Sequence, residues 1–160
     1  MTRIKHQGGN TTIHHEPVSR PVPSSLSVQL RMQRQKSRNT PVEVAFRSLV
    51  HRRGLRFLVH RRPLPRVPRT ADLVFIRARV AAYVDGCFWH GCPHHYMKPL
   101  SNAEYWLPKI ERNRMRDSET DSMLRSAGWV SFRVWEHEKL SDAADRLAEI
   151  VRQRAIPPKS

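Results

Sequence analysis

Residues 71–95 read ADLVFIRARVAAYVDGCFWHGCPHH, and this stretch decides the fold. Two nearly unbroken apolar runs, at 72–76 and 79–84, are followed by a loop rich in Cys, His, Gly and aromatic residues. Short apolar runs of this kind are typical of strands that are covered on both faces. The stretch therefore predicts two inner strands of a sheet, with a chemically rich loop leaving the second strand.

On both sides of this stretch, capping residues, apolar periodicity and glycine stops predict the remaining elements. They are a helix capped by Thr40 and stopped by Gly54, a strand over 55–59, a helix from Leu107 to Ala127, a strand over 130–134 and a last helix capped by Ser141. With the two inner strands the order is α-β-β-β-α-β-α. This order predicts an α/β fold, a small sheet with helices on both sides.

The chain of 160 residues carries 29 Lys and Arg against 14 Asp and Glu, a net charge of +15. The charge is uneven, because residues 1–79 account for +14 of it. Each Lys or Arg that meets a phosphate releases a counterion, so a basic half of this kind favours a polyanionic partner. Nucleic acid is the expected partner, although an arginine-rich composition also arises in GC-rich genomes.

Residues 1–36 mix Ser, Pro, Thr, Gln and Arg with few large apolar side chains, which predicts a basic, disordered N-terminal arm. The folded domain is expected over 37–156, followed by a tail at 157–160. No apolar run approaches the roughly 18 residues of a membrane span, and the N-terminus lacks the apolar core of a signal peptide. We therefore expect no membrane partner and a cytoplasmic, nucleoid-associated protein.

Two cysteines, Cys87 and Cys92, lie five residues apart beside several histidines. In a chain without an export signal, such a pair indicates a metal site more than a disulfide. Zinc takes a tetrahedron of Cys sulfur and His nitrogen atoms, and either His94 or His95 can supply the third ligand. His137, just after the fourth strand, is the best remote candidate for the fourth. The alternative is two buried thiols beside surface histidines.

Asp72 opens one inner strand and Asp85 ends the next, so a hairpin-like return brings the two carboxylates together. Carboxylate and carbonyl oxygens are the ligands of Mg²⁺, which polarises a phosphate and activates water. The pair is therefore consistent with phosphodiester hydrolysis. Taken alone, two aspartates at strand ends more often cap turns.

A series of longer motifs runs through the predicted domain. In chain order they are KSRNTPVEVAFRSLVHRRGLRF, HRRPLP, ADLVF, VDGCFWH and EYWLPKIERNRMRDSETDSMLRSAGWVSFRVWEHE. Over about residues 36–140 the series resembles the very short patch repair (Vsr) DNA mismatch endonucleases. The resemblance implies a PD-(D/E)xK restriction-endonuclease-like core of order α-β-β-β-α-β, with a mixed central sheet flanked by helices and a structural zinc site.

The resemblance also implies an activity. Members of the family nick one strand of double-stranded DNA beside a T:G mismatch, which arises when 5-methylcytosine is deaminated. Mg²⁺ serves catalysis and Zn²⁺ serves structure in this family. A monomer is implied, together with a functional link to a cytosine-5 DNA methyltransferase and to mismatch-repair proteins.

Site residues carry over at the positions that match the family's motifs. The resemblance implies Asp72 as a metal-binding carboxylate, Val84 as a metal ligand through its backbone carbonyl, His90 as the general base, Asp117 as the carboxylate that orients it and Glu43 as an acidic residue facing the site. Glu43 also fits the capping box of the first helix, and the two roles are compatible.

Three aromatic residues, Phe88, Trp89 and Trp106, match side chains that wedge into the duplex at the mismatch. Wedges of this type unstack a base step and bend the DNA. The alternative for these rings is packing in the protein core.

The chain departs from the family pattern at three places. Ala71 replaces a Pro before the metal-binding aspartate. Asp85 stands where some members have His, which makes it an extra metal ligand or a phosphate-site group. The zinc set is permuted, with His137 in place of a Cys.

Two other functions stay open at this point. One is a related restriction-like or homing-type DNA nuclease that cuts without a mismatch. The other is a non-catalytic, zinc-stabilised nucleic-acid-binding protein. The acidic residues discriminate, because binding alone does not require carboxylates gathered in a basic cleft.

Overall fold

The computed structural model describes residues 38–65, 67, 69–98 and 102–155. The elements are α1 (Pro41–Arg52), β1 (Leu58–Arg61), β2 (Ala71–Phe75), β3 (Val80–Asp85), α2 (Ala103–Ser126), β4 (Val130–Trp135) and α3 (Leu140–Ala155). This confirms the predicted order α-β-β-β-α-β-α. The arm predicted at 1–36 and the tail predicted at 157–160 lie outside the described residues. Within the described ranges, none of the helices has the length and apolar character needed to cross a membrane.

The four strands form one mixed sheet in the order β1-β2-β3-β4. The first three strands are antiparallel neighbours, whereas β4 runs parallel to β3. A parallel pair needs a crossover connection, which the loop after β3 and α2 supply. Both β3 and β4 therefore end at the same edge of the sheet, where the Glu136 N–H donates to the Asp85 carbonyl at 2.9 Å.

Both faces of the sheet are covered, as the apolar runs predict. Helices α1 and α3 cover one face, with Phe46, Val50, Leu73, Val134 and Leu147 among its buried side chains. Helix α2 covers the other face, where the buried cluster is Ala71, Val74, Ala81, Tyr83 and Leu124. Burial of a leucine side chain contributes about 1.5–3 kcal/mol to stability. Leu124 therefore anchors helix α2, which carries Asp117, to the sheet.

Two element starts differ from the prediction. The first strand begins at Leu58 rather than at residue 55, because Leu55 and Phe57 pack against the core from an irregular segment. Helix α2 begins at Ala103 rather than at Leu107. Its second turn contains Pro108, which removes one helical hydrogen bond and hides the helical pattern of the residues before it.

The prediction that Ser141 caps the last helix is wrong, because α3 already begins at Leu140. The Lys139 carbonyl accepts from the N–H groups of Asp142 and Ala143, while the Ser141 hydroxyl donates to the Asp142 carboxylate at 3.0 Å. The hydroxyl is therefore used inside the first turn instead of at its start.

Candidate active site and metal cluster

A cleft of about 570 Å³ opens where β3 ends. Its lining includes Glu43, Asp72, Val84, Asp85, His90 and Asp117. These residues come from α1, β2, β3, the loop after β3 and α2. The fold thus brings the acid–base candidates of the sequence to one place.

Asp72, the second residue of β2, lies beside Val84 of the neighbouring strand β3, and both residues line the cleft. Its Oδ2 accepts from the Val84 N–H at 2.8 Å. Burial raises the pKa of Asp72 to about 6, and the hydrogen bond from Val84 only partly opposes the shift. The carboxylate is therefore poorly stabilised as an anion by the protein itself.

Glu43 combines the two roles that the sequence left compatible. Its N–H donates to the Thr40 hydroxyl at 3.2 Å, and its Oε2 accepts from the Asn39 N–H at 2.8 Å, so that it caps the start of α1. The same buried side chain lines the cleft. Helix capping therefore fixes the direction in which this carboxylate points.

His60 belongs to the site, and sequence reasoning missed it. Its Nδ1 is 3.7 Å from Asp72 Oδ1 and its Nε2 is 4.0 Å from Glu43 Oε2, so the three side chains form one cluster. His60 has φ +49, an uncommon conformation for a residue with a side chain. Its position in the HRRPLP motif was the available signal, but the alternation of β1 made it look like an ordinary surface residue.

His90 lies in the loop after β3 and contacts two carboxylates. Its Nδ1 is 2.5 Å from Asp117 Oδ2 and 3.7 Å from Asp85 Oδ1. Burial lowers the pKa of His90, but the hydrogen bond to Asp117 and the charge of Asp85 outweigh this effect, and the net pKa is raised. Because Nδ1 is engaged by Asp117, Nε2 is the ring nitrogen left for a water or a substrate.

Arg133 of β4 is a second residue that the sequence did not reveal. Its Nη1 donates to both oxygens of Asp85 at 3.0 and 2.8 Å, and its Nε donates to both oxygens of Asp121 at 3.1 and 3.0 Å. Its Nη2 lies 3.2 Å from Asp117 Oδ1. Burial raises the pKa of Asp85, and this ion pair opposes the shift. β4 is an edge strand of the described sheet and alternates in the sequence VSFRVW, so its arginine looked like an ordinary polar residue.

The loop that carries His90 is held by short hydrogen bonds. The Cys87 N–H donates to Glu136 Oε1 at 2.7 Å, and the Cys92 N–H donates to the Cys87 carbonyl at 2.9 Å. Gly91 has φ +61, and a Cβ there would lie 3.1 Å from Arg114 Cδ. Gly91 therefore allows the sharp turn between His90, which lines the cleft, and Cys92, which belongs to the cysteine pair.

The aromatic candidates form a cluster beside the cleft. The ring centroids of Phe88, Trp89 and Trp106 lie 5.1–5.9 Å apart in edge-to-face contact. Lys109 Nζ lies 5.3 Å from the ring centroids of both tryptophans. The three rings are half-buried and belong to neither buried core cluster of the described residues, which argues against a pure core role.

A second cluster contains Cys87, Cys92, His95 and His137, whose ligand atoms all lie within 4.8 Å of one another. The Nδ1 of His137 is 3.0 Å from the Cys87 sulfur and 3.7 Å from the Cys92 sulfur. Ligands bound at 2.0–2.3 Å to one tetrahedral zinc stand roughly 3.3–3.8 Å apart, so both the size and the donor set fit zinc.

Two further observations bear on this cluster. Both thiols are free, and burial together with the neighbouring Cys92 thiol raises the pKa of Cys87 to about 11. A thiolate at this position therefore needs a cation beside it. Of the two histidines that the sequence left open, His95 joins the cluster, whereas the His94 ring centroid lies 6.5 Å from those of His95 and His137.

Carboxylates gathered at the strand ends of a mixed sheet, in a strongly basic chain, are compatible with metal-assisted hydrolysis of a nucleic-acid phosphodiester. The profile of the family described as DNA mismatch endonuclease Vsr matches residues 26–98. Together with the relatives below, this match shows that the chain belongs to the Vsr family of DNA endonucleases.

Three relatives illustrate the similarity. The type II nicking enzyme V.NaeI of Lentzea aerocolonigenes is 40% identical over 133 residues, which cover 81% of this chain and 79% of the relative. The type II nicking enzyme V.XorIIP of Xanthomonas oryzae pv. oryzae is 46% identical over 113 residues, with coverage of 69% and 79%. The DNA mismatch endonuclease Vsr of Escherichia coli is 37% identical over 123 residues, with coverage of 71% and 76%.

Proposed function

We propose that the protein is a Mg²⁺-dependent endonuclease that nicks one strand of duplex DNA beside a T:G mismatch. The observation that carries the proposal is the cleft itself. A half-buried carboxylate with a raised pKa, Asp72, stands in the same cavity as an imidazole, His90, that is oriented by Asp117. A hard-cation ligand and an oriented base are what hydrolysis of a phosphodiester requires.

Asp72 and the Val84 carbonyl would hold the magnesium ion. The N–H and the carbonyl of one strand residue face the same neighbouring strand, and the Val84 N–H already points at Asp72. When bound, the ion polarises the scissile phosphate and stabilises the charge that develops on it. Glu43 and His60 stand beside Asp72 and orient water around this position.

His90 acts as the general base in this proposal. Its Nδ1 donates to Asp117, which fixes the tautomer and leaves Nε2 free to take a proton from the attacking water. The neutral ring is the active form, and the raised pKa of His90 makes this ring a stronger base than an ordinary imidazole.

Phe88, Trp89 and Trp106 supply mismatch selectivity by entering the base stack. A mismatched step opens more easily than a matched one, so a wedge acts preferentially there. The half-buried rings and the adjacent Lys109 ammonium, which suits phosphate or base edges, support this role.

The cysteine cluster has a structural task. Cys87, Cys92, His95 and His137 would hold one zinc ion, which ties the loop after β3 to the segment after β4. Four protein ligands leave no open position for catalysis. Metal binding would therefore stabilise the loop on which His90 and the wedge residues stand.

The cellular role follows from the substrate. T:G mismatches arise where 5-methylcytosine is deaminated, so the protein would act in the cytoplasm, as a monomer, on DNA methylated by a cytosine-5 methyltransferase. A functional link to mismatch-repair proteins is part of the same proposal.

The test uses purified zinc-loaded protein and two duplexes of the same sequence, one matched and one with a T:G pair. We expect Mg²⁺-dependent nicking of one strand of the mismatched duplex, and Trp89→Ala should reduce this activity more than any activity on the matched duplex. Equal nicking of both duplexes would favour a nuclease without mismatch specificity. Binding without nicking would favour a non-catalytic DNA-binding protein.

The zinc assignment has its own test. We expect His137→Ala to lose stoichiometric zinc and to lower the melting temperature, because one corner of the site is removed. His137→Cys should keep the metal, since zinc accepts either donor. One zinc per chain with unchanged stability in the Ala variant would remove His137 from the ligand set.

A further inference from the structure

Arg133 uses its whole guanidinium group on three carboxylates. Nη1 bonds Asp85, Nε bonds Asp121 and Nη2 lies against Asp117. The guanidinium carbon also lies 4.8 Å from the Tyr83 ring centroid, in a cation–π contact. A planar guanidinium whose three nitrogen atoms contact three different carboxylates has a fixed orientation.

Asp117 stands between Arg133 and His90. One of its oxygens is 3.2 Å from Arg133 Nη2, and the other is 2.5 Å from His90 Nδ1. The carboxylate is therefore held from both sides and cannot rotate without losing one partner.

Asp85 is the competing partner of the same imidazole. Its Oδ1 lies 3.7 Å from His90 Nδ1, close enough to become the acceptor after a small rotation of the ring. Arg133 already occupies both oxygens of Asp85. The guanidinium thus engages the competitor and presents Asp117 to the ring.

We infer that Arg133 is a positioning residue of the nicking reaction: by bonding Asp85 and Asp117 at once, it directs the His90 Nδ1 proton to Asp117 and so aims Nε2 into the cleft. The inference rests on the proposed function for its kinetic readout. It adds a residue of β4 to a mechanism otherwise built from β2, β3, the following loop and α2.

A double-mutant cycle on kcat tests it. Arg133→Met should lower kcat about 10–100-fold, the usual loss for a residue that supports a functional side chain, while KM for the mismatched duplex changes less than about threefold. In an Asp117→Asn background the same substitution should cost less than about threefold, because the link to His90 is already broken. Fully additive losses would overturn the inference.

Asp121→Asn is the matched control. Asp121 contacts the same guanidinium at Nε, and within the described residues no hydrogen bond or ion pair joins it to His90, so its loss should leave kcat within about threefold of wild type. If Arg133→Met unfolds, Arg133→Lys replaces it in the cycle. One ammonium cannot bond Asp85 and Asp117 in the fixed fork, so the same loss and the same non-additivity are expected.

A proton NMR readout separates this inference from the proposed function. A short bond from an imidazole to a carboxylate gives a far-downfield Nδ1 proton signal, assigned by its absence in His90→Gln. We expect this signal to shift or vanish in Arg133→Met but to persist in Asp121→Asn. If wild-type protein nicks no duplex, the proposed function fails while this signal still decides the positioning role. A signal unchanged in Arg133→Met would overturn that role.

Discussion

The two halves of the cleft hold carboxylates in opposite ways. The open half consists of Glu43, His60 and Asp72. The paired half consists of Asp85 and Asp117, whose partner Arg133 also bonds Asp121 outside the cleft lining. In the paired half each carboxylate lies within 3.2 Å of the guanidinium. In the open half, the salt-bridge partner of both carboxylates within the described residues is His60, at 3.7 and 4.0 Å.

His60 does not compensate the charge of the open half. Burial, followed by the charge of Arg47, lowers the pKa of His60, so the ring stays neutral at neutral pH. Partial removal of a carboxylate from water without a neighbouring cation disfavours its charged form, and the pKa of Asp72 is raised for this reason. The protein neutralises the paired half with its own arginine, whereas the open half is where the proposed Mg²⁺ would supply the missing positive charge.

The largest expected effect is the loss of activity when Asp72 of the open half is replaced by asparagine. The same change at Asp121, a partner of Arg133, serves as the comparison. Asp72→Asn should lower Mg²⁺-dependent nicking by about 10³-fold or more, because it removes a ligand of the ion that supplies several kcal/mol of transition-state stabilisation. Asp121→Asn is the control, and its nicking rate should stay within about threefold of wild type. Rates from single-turnover assays on the mismatched duplex decide the matter. Near-normal activity of Asp72→Asn would remove Asp72 from the mechanism.

His90→Ala should lower the nicking rate about 10²–10⁴-fold, the range for loss of a general base. The zinc content should stay at the wild-type level, because His90 lies outside the cysteine cluster. Metal analysis of the purified variant is the control. Loss of zinc would indicate that His90 is a structural zinc ligand rather than the general base.

The stability of the open half should depend on pH. The folded-state pKa of Asp72, about 6, lies above its ordinary value of 3.8, so the folded protein binds more protons and becomes less stable as the pH rises between these values. In Mg²⁺-free buffer, Asp72→Asn should therefore be more stable than wild type by up to about 3 kcal/mol at pH 7 and by almost nothing near pH 4. Urea unfolding at both pH values measures this. A variant that is less stable at pH 7 would contradict an uncompensated Asp72.

The smallest expected effect is stabilisation by Mg²⁺. At ten times its Kd, a ligand that binds only the folded protein adds about 1.4 kcal/mol. The melting temperature of wild type and of Asp121→Asn should rise with Mg²⁺, whereas that of Asp72→Asn should not. An equal rise in all three proteins would place the ion away from the open half.

The sequence predicted those parts of the site that depend on local pattern. Asp72 and Asp85 lie near the adjoining ends of two strands joined by a short turn, so their proximity follows from the hairpin alone. The four residues of the cysteine cluster could be anticipated because zinc restricts its ligands to few residue types. Both inferences needed only the order of the strands.

His60 and Arg133 could not be predicted in the same way. Each sits in a strand whose alternating pattern fits an ordinary polar residue, and their contacts depend on which strand lies next to which. The positive φ of His60 leaves no trace in sequence, and the partners of Arg133 on α2 are set by how that helix crosses the sheet. Such ion pairs follow from tertiary packing rather than from periodicity.

The most direct test of the contrast between the halves is a crystal structure of the protein with a nicked T:G duplex and Mn²⁺ in place of Mg²⁺. The anomalous signal of manganese locates the ion without reference to activity. We predict a peak at coordination distance, about 2.1 Å, from the Asp72 carboxylate and the Val84 carbonyl. A peak on Asp85, Asp117 or Asp121 instead, or none near Asp72 at saturating Mn²⁺, would contradict the account.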